Sequence, residues 1–318
     1  MLFKDNPFFS YLESIKNFEK NPYFAVGVSG GPDSMALAIF LNKFVKKYKG
    51  KLIALIFDHS IRANSREESE YVKQLLKGLN IKAQIIRPSK KMIVKKNMNS
   101  ARNNRFDGLV NFCKKENIMH LFLAHHFDDN LETFLMRKLH GSNIEGLDAM
   151  SFFSYFRNIQ IIRPFINLQK KAIINYNRKN DINYIHDPSN EDLNYTRVKI
   201  RKFLENNQIK KEVKNDFIKI KKQIPKYKKM IWELFIKNLI SVNRNIVKVD
   251  FNNLNDLDDL IIEKHILIIL KFFKKNIQIK SDKINNFIKS MKKTDFLVFN
   301  LKGVLIEKKS KILIFSQK

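Results

Sequence analysis

The run SGGPDS, Ser29 to Ser34, constrains this chain more than any other stretch: a strand-like apolar run, residues 23–28, leads into it and a helix-like run, residues 35–40, leads out. Gly30 and Gly31 let the backbone turn tightly and approach a ligand with no Cβ in the way. Pro32 suits the first position of a helix. A helix starting there aims unpaired N–H groups and the positive end of its dipole at the loop, and Ser29 and Ser34 add hydroxyl donors, so the turn reads as a cradle for a di- or triphosphate. Asp33 fits beside phosphate only with a cation between them, and a Mg²⁺ shared by carboxylate and phosphate oxygens is the simplest arrangement. Mg-ATP is the implied occupant. The Gly-Lys-Ser/Thr of a Walker loop and the G-x-G-x-x-G of a dinucleotide site are both missing.

Short apolar runs at 23–28, 52–57, 83–86 and 121–124 alternate with amphipathic segments near 33–47, 66–79, 100–117 and 128–139. By length and periodicity these are strands and helices, and the βαβα order predicts an α/β fold, a parallel sheet with helices on both faces in the Rossmann-like manner. Ligands in such sheets bind at the carboxyl ends of the strands. SGGPDS, Asp58-His59 and His125-His126 each fall just after a predicted strand. A further strand at 161–164, a helix near 168–180 and a turn at Asp187-Pro188-Ser189-Asn190 follow. A boundary near residue 210 is expected, giving a catalytic domain over 1–210 and a smaller, mainly helical, basic domain over 211–318. Pro225 is expected to break its first helix, and strand-like runs at 296–300 and 312–315 close the chain.

The 318 residues suffice for two domains, each with its own core. A lone cysteine, Cys113, excludes a disulfide framework and cysteine metal clusters and fits a reducing cytosol. No run is long and apolar enough for a bilayer span, and the first residues do not read as a signal peptide, so the expectation is a cytoplasmic protein without a membrane partner. Sixty basic residues against 31 acidic give +29, a field that suits a polyanion. Drift toward Lys, Asn, Ile and Phe would also produce lysine-rich surfaces. The excess is dense in residues 207–318, with 26 basic against 11 acidic. There Lys221, Lys222, Lys226, Lys228 and Lys229 are either a nucleic-acid contact or a solvated helix face.

The run AHHFDDNLET, residues 124–133, passes from strand to helix and puts Asp129 and Glu132 on one face at i, i+3. Acids in a first turn often serve only as caps. Beside a nucleotide cradle they also suit Mg²⁺ or a substrate ammonium, and a histidine suits phosphate contact or proton transfer. His125 and His126 read as two functional residues or as one functional and one packed. The set lacks the H-E-x-x-H spacing and cysteines of a zinc site.

Together these motifs resemble the tRNA(Ile)-lysidine synthetases of the PP-loop ATP pyrophosphatase superfamily. The resemblance rests on SGGPDS; on Asp58-His59-Ser60-Ile61-Arg62 with Ser65 and Glu68; on Ala101-Arg102 with Arg105; and on AHHFDDNLET. It continues through Gly141-Ser142 with Gly146-Leu147, Arg163-Pro164, and Asp187-Pro188-Ser189-Asn190 with Arg197 and Arg201. It departs from the family at Asn130, where Gln is usual, at His140, where Arg is common, and at Val198, where Asn follows the first arginine. The chain is also short, like members without a third domain.

The resemblance implies a ligase. ATP adenylates O2 of the wobble cytidine, position 34, of an isoleucine tRNA with a CAU anticodon, and free L-lysine then displaces AMP at C2 to give lysidine. Ser29, Gly30, Gly31, Pro32, Asp33, Ser34, Asp58 and His59 would hold ATP, with Asp33 on Mg²⁺. Asp33, His125, Asp129 and Glu132 would carry the chemistry, with Asp129 and Glu132 recognising lysine. Arg102, Arg105, Arg197 and Arg201 would bind phosphates of ATP or tRNA, or stand as solvated faces. A homodimer stays open. The alternatives are another PP-loop enzyme, a tRNA thiolase, which Cys113 alone serves poorly, and a non-catalytic RNA-binding protein; an amidotransferase lacks its second cysteine domain.

Overall fold

The computed structural model describes residues 18–58, 64–88, 98–185, 192–274, 279 and 281–317, with backbone alone for 98–102 and 281. His59, the rest of its motif to Arg62, and the expected turn at 187–190 lie outside the described residues. The chain divides into two compact units, Met1–Ile220 and Lys221–Lys318.

The first unit runs β1 (Tyr23–Val28), α1 (Pro32–Lys47), β2 (Lys51–Phe57), α2 (Ser65–Gly78), β3 (Lys82–Ile86), α3 (Met98–Lys115), β4 (His120–Phe122) and α4 (Phe127–Leu139). After a 3-10 turn (Gly146–Asp148) come β5 (Phe153–Phe156), β6 (Ile159–Ile162), α5 (Lys170–Lys179), α6 (Thr196–Phe203) and α7 (Asn207–Asn238). The sheet order is β3-β2-β1-β4-β6-β5. Its first five strands are parallel, and β5 joins β6 antiparallel at one edge.

Apolar runs without alternation are what a sheet covered on both faces requires. Phe24, Val26, Val28, Leu52, Ala54 and Ile56 pack on one side with Met35, Leu37, Phe40, Leu41 and Phe44 of α1. Ala25, Ile53, Leu55 and Leu121 pack on the other with Leu109, Val110 and Cys113 of α3. Each fully buried side chain of this size stabilises the fold by about 1.5–3 kcal/mol. The strand order reverses between β1 and β4, so a ligand crevice is expected beyond their carboxyl ends.

The edge strand β5 was not anticipated, and β6 begins before the expected 161. The hairpin turns through Arg157 (φ 48°) and Asn158 (φ 68°). Two successive left-handed residues suit a tight hairpin, but with no glycine there the turn is inconspicuous in the sequence.

Pro225 lies inside α7 and does not break it. Phe217, Ile224, Ile231 and Phe235 lie at seven- and four-residue spacing and are all buried. One continuous apolar stripe therefore outweighs the hydrogen bond that a proline removes. Replacing an interior proline by alanine is worth up to about 3 kcal/mol. Pro225→Ala should accordingly raise the denaturation midpoint; an unchanged or lower midpoint would mean that the helix depends on the ring.

The second unit continues with β7 (Leu239–Val242), β8 (Ile246–Asp250), α8 (Phe251–Asn255), α9 (Asp259–Phe273), α10 (Ser281–Lys293), β9 (Phe296–Leu301), β10 (Val304–Lys309) and β11 (Ile312–Ser316). Helices make up the larger part, as expected, but they pack on a five-stranded antiparallel sheet, β7-β8-β11-β10-β9. Val247, Val249, Leu301, Val304, Ile306, Leu313 and Phe315 meet Ile262, Ile266, Ile269, Ile284, Phe287 and Ile288 in its core. Lys308 interrupts the apolar set, yet its buried ammonium donates to the carbonyls of Met291, at 2.9 Å, and Thr294, at 2.6 Å, closing the end of α10.

Candidate active site

Residues 29–34 turn tightly from β1 into α1. Gly30 sits at φ +86°, and a Cβ there would lie 2.6 Å from Cγ2 of buried Val72. Only glycine fits that backbone in that space. Pro32 opens α1, and the capping residue Gly31 has no side chain to cover the first turn. The Ser34 hydroxyl donates to the Gly31 carbonyl, at 3.0 Å, accepts from the Ser29 amide, at 3.2 Å, and stands 3.3 Å from the Ser29 hydroxyl. The loop is braced from outside by the Ile185 amide, which donates to the Gly30 carbonyl at 2.9 Å, and by Asn177 Nδ2, which donates to the Pro32 carbonyl at 2.9 Å. Start of helix, open N–H groups and hydroxyls together suit an anion.

Asp33 faces the residues after β4. Its Oδ2 lies 3.8 Å from His126 Nε2 and 3.9 Å from Lys170 Nζ. Its Oδ1 is buried and accepts no hydrogen bond among the described residues. Burial raises the Asp33 carboxyl above its ordinary value, and nearby Asp129 adds to this, against the opposing pull of His126, Lys170 and Arg201. An orphaned carboxylate oxygen at a phosphate loop fits a divalent cation. Among the described residues no group of three or more His, Cys, Asp or Glu could hold a metal by itself. A Mg²⁺ here would draw its other ligands from phosphate and water.

His126 resolves half of the histidine ambiguity. It caps α4: its Nδ1 accepts from the Asp129 amide, at 3.3 Å, and its own amide donates to Asp129 Oδ2, at 3.0 Å. This is a reciprocal capping box with His in the usual Ser/Thr place. Its Nε2 stands 3.5 Å from Asp129 Oδ2 and 3.8 Å from Asp33 Oδ2. His125 has a buried Nδ1 with no hydrogen bond among the described residues. Burial pushes this imidazole down to about 3, with Arg163, Arg105 and Arg197 reinforcing and Asp129 opposing the shift. It is neutral at pH 7.

Asp129 and Glu132 share a face of α4 and meet the two arginines of α6. Arg197 Nε donates to Glu132 Oε2 at 2.6 Å and its Nη2 to Asp129 Oδ1 at 3.0 Å; Arg201 Nε donates to Glu132 Oε1 at 2.8 Å. Burial works to raise the Asp129 carboxyl, but His126, Arg197 and His125 together hold it below its usual range. Here the expected lysine-binding acids and phosphate-binding arginines are paired with each other. The Asp58 carboxylate, expected at the nucleotide, accepts from Arg87 Nε at 3.2 Å. Arg105 stands on α3 and acts electrostatically on His125. Arg102 lies on the same helix, its side chain outside the described set.

Three contributors escaped the sequence reading. Asp128 anchors the start of α5 by accepting from the Lys170 amide at 2.7 Å, and its other oxygen takes the Lys210 ammonium at 2.5 Å. Asn130, buried, exchanges two hydrogen bonds with the Met150 backbone, at 2.8 and 3.1 Å. Lys170 brings a cation to Asp33. Asp128 and Asn130 lie within AHHFDDNLET, but their roles, like that of Lys170, depend on partners at least 20 residues away.

A glycine-bearing phosphate loop between a central parallel strand and its helix defines a nucleotide-binding α/β domain. The chain belongs to the PP-loop domain family, whose model matches residues 7–208. It is 34% identical over 193 residues to a tRNA(Ile)-lysidine synthase of Orientia tsutsugamushi (strain Boryong), covering 61% of this chain and 44% of that protein. It is 38% identical over 186 residues to the tRNA(Ile)-lysidine synthase of Wolbachia pipientis wMel, covering 58% and 43%. The chain thus spans less than half the length of these two relatives. The U34-tRNA thiolase NcsA from Methanococcus maripaludis, a structure with its [4Fe-4S] cluster, shares the fold, with TM-score 0.56 and 18% identity over 67% of this chain and 73% of that one. Among the described residues no helix is long and apolar enough to cross a membrane.

Proposed function

We propose that the chain ligates L-lysine to C2 of the wobble cytidine of an isoleucine tRNA with a CAU anticodon, using ATP. One observation carries the reading: the SGGPDS cradle and the His126-Asp129 start of α4 meet within 3.8 Å at the ends of adjacent strands. The relatives named as lysidine synthases, alike over the same region, supply the substrate class.

In this reading cytidine O2 attacks the α-phosphorus while the bond to the bridging oxygen breaks, and its electron pair leaves with pyrophosphate. The N–H groups at the start of α1 and the two serine hydroxyls stabilise the growing charge. A Mg²⁺ at Asp33 would supply further neutralisation of phosphate. The lysine ε-amine then attacks C2, the C2–O bond breaks with its electron pair leaving on AMP, and the proton shed by the amine passes to solvent. Arg197 helps hold Asp129 anionic, and Arg197 and Arg201 both pair with Glu132. Phosphate then draws the guanidiniums and the lysine ammonium takes the carboxylates. The lysine-rich start of the second unit, with Lys222, Lys226 and Lys229 exposed on α7, suits the tRNA backbone.

A thiolase reading is weaker. Cys113, the single cysteine, is fully buried, and burial pushes its thiol up to about 12.

The test is incorporation of labelled lysine into a CAU isoleucine tRNA transcript. Incorporation requiring ATP, Mg²⁺ and the CAU sequence is expected. A folded, ATP-binding protein that incorporates none would refute the reading.

A further inference from the structure

Lys170 lies outside every motif that identified the site. It is the first residue of α5, and its main chain is fixed by Asp128, whose carboxylate accepts its amide hydrogen at 2.7 Å. The helix behind it is locked to the phosphate loop through Asn177 and buried through Ile173. Its side chain is 43% exposed and reaches toward Asp33, stopping at 3.9 Å. That separation exceeds the 2.7–3.2 Å of an N–H···O hydrogen bond. The ammonium therefore feels the carboxylate without being committed to it. A lysine with an anchored backbone, a flexible stem and a cation held at the rim of an anion cradle is placed to take a ligand.

We propose that Lys170 contacts the β- and γ-phosphates of ATP and stays with them as the pyrophosphate leaving group, making it a phosphate-binding residue of this site. The inference rests on the proposed ATP-consuming reaction. As the bond between the α-phosphorus and the bridging oxygen breaks, the electron pair departs on pyrophosphate, and the lysine cation balances that charge. Lys170 partly neutralises Asp33. When phosphate arrives the ammonium moves to it, leaving the carboxylate to a divalent cation.

The experiment measures binding of inorganic pyrophosphate, with Mg²⁺ and without tRNA or lysine, by calorimetry on the full chain. Wild type, Lys170→Met and Lys170→Arg are compared, with folding checked by thermal melts. Loss of one charge-assisted contact should weaken pyrophosphate binding about 10- to 100-fold in Lys170→Met. Lys170→Arg should recover most of it, and the melting temperature should stay that of the wild type. In turnover assays the KM for ATP should rise with the methionine variant. Pyrophosphate binding equal to wild type in a folded Lys170→Met protein overturns the assignment, as does a wild type that binds no pyrophosphate. If wild type and Lys170→Met differ as expected but the wild type transfers no lysine to tRNA, the ligase reading fails and Lys170 keeps its role.

Discussion

Asp33→Asn should abolish lysine transfer and at the same time make the protein more stable at pH 7. The activity loss, on the order of 10²–10³-fold or more, follows from removing the phosphate-loop carboxylate whose Oδ1 accepts no hydrogen bond among the described residues. The stability gain follows from burial. The folded state raises the Asp33 carboxyl above the ordinary value of 3.8, so the folded protein binds its proton more tightly than the unfolded chain does. Stability linked to this group is present below 3.8 and is lost as pH rises through the raised folded value. At neutral pH the wild type thus holds a disfavoured buried charge, and asparagine removes it. Melting curves from pH 3 to 8 should show the variant ahead at pH 7, with its lead shrinking as the solution is acidified. A variant that is no more stable than wild type at pH 7 would mean that Asp33 is better compensated than burial implies. Such a trade of stability for chemistry is common at active sites.

Glu132→Ala should be strongly destabilising. The carboxylate side chain is 3% exposed and receives Arg197 and Arg201 together. Removing one member of a buried ion cluster costs about 3–5 kcal/mol, because the remaining charges lose their partner. Here the guanidiniums are 30% and 33% exposed and turn partly to water, which places the expected cost near the lower end, about 3 kcal/mol. In a unit of this size each kcal/mol shifts the melting temperature by roughly 2–4 °C. The check is the urea midpoint at unchanged slope. Pairing Glu132→Ala with Arg201→Met should recover part of the loss, since one stranded cation is gone. A single-variant change below about 0.5 kcal/mol, the usual range for surface sites, would show that the cluster is already open to solvent.

The core of the first unit is legible because its signals are local. The glycines of SGGPDS, the proline after them and the apolar runs at strand length are each set by what the backbone allows within a few residues. The convergence of SGGPDS and AHHFDDNLET follows from the rule for parallel sheets. What escaped is what depends on distant partners. Nothing around Lys170 announces Asp33, which precedes it by 137 positions in the chain. Glu132 reads as a candidate for an ammonium until Arg197 and Arg201 fold against it. In the second unit the runs of β7, β8 and β10 carry lysine, serine and asparagine-rich flanks that obscure their period of two, and Lys308 looks like a surface residue although it is buried. The proline at 225 misled because one strong local penalty was weighed without the long stripe on either side.

The pairing of α4 with α6 also imposes an order on biosynthesis. Glu132 is made 65 residues before Arg197. At 5–20 residues per second, the chain carries that carboxylate for roughly 3–13 s before its counterion has been polymerised, and longer before it clears the ribosome. During that interval α4 cannot close its inner face around an ionised acid, so a nascent chain with the phosphate loop, β1 and β4 already emerged still lacks half of its site. The emergence of α6 supplies the counterions of Glu132, and Lys210 of α7 then follows for Asp128.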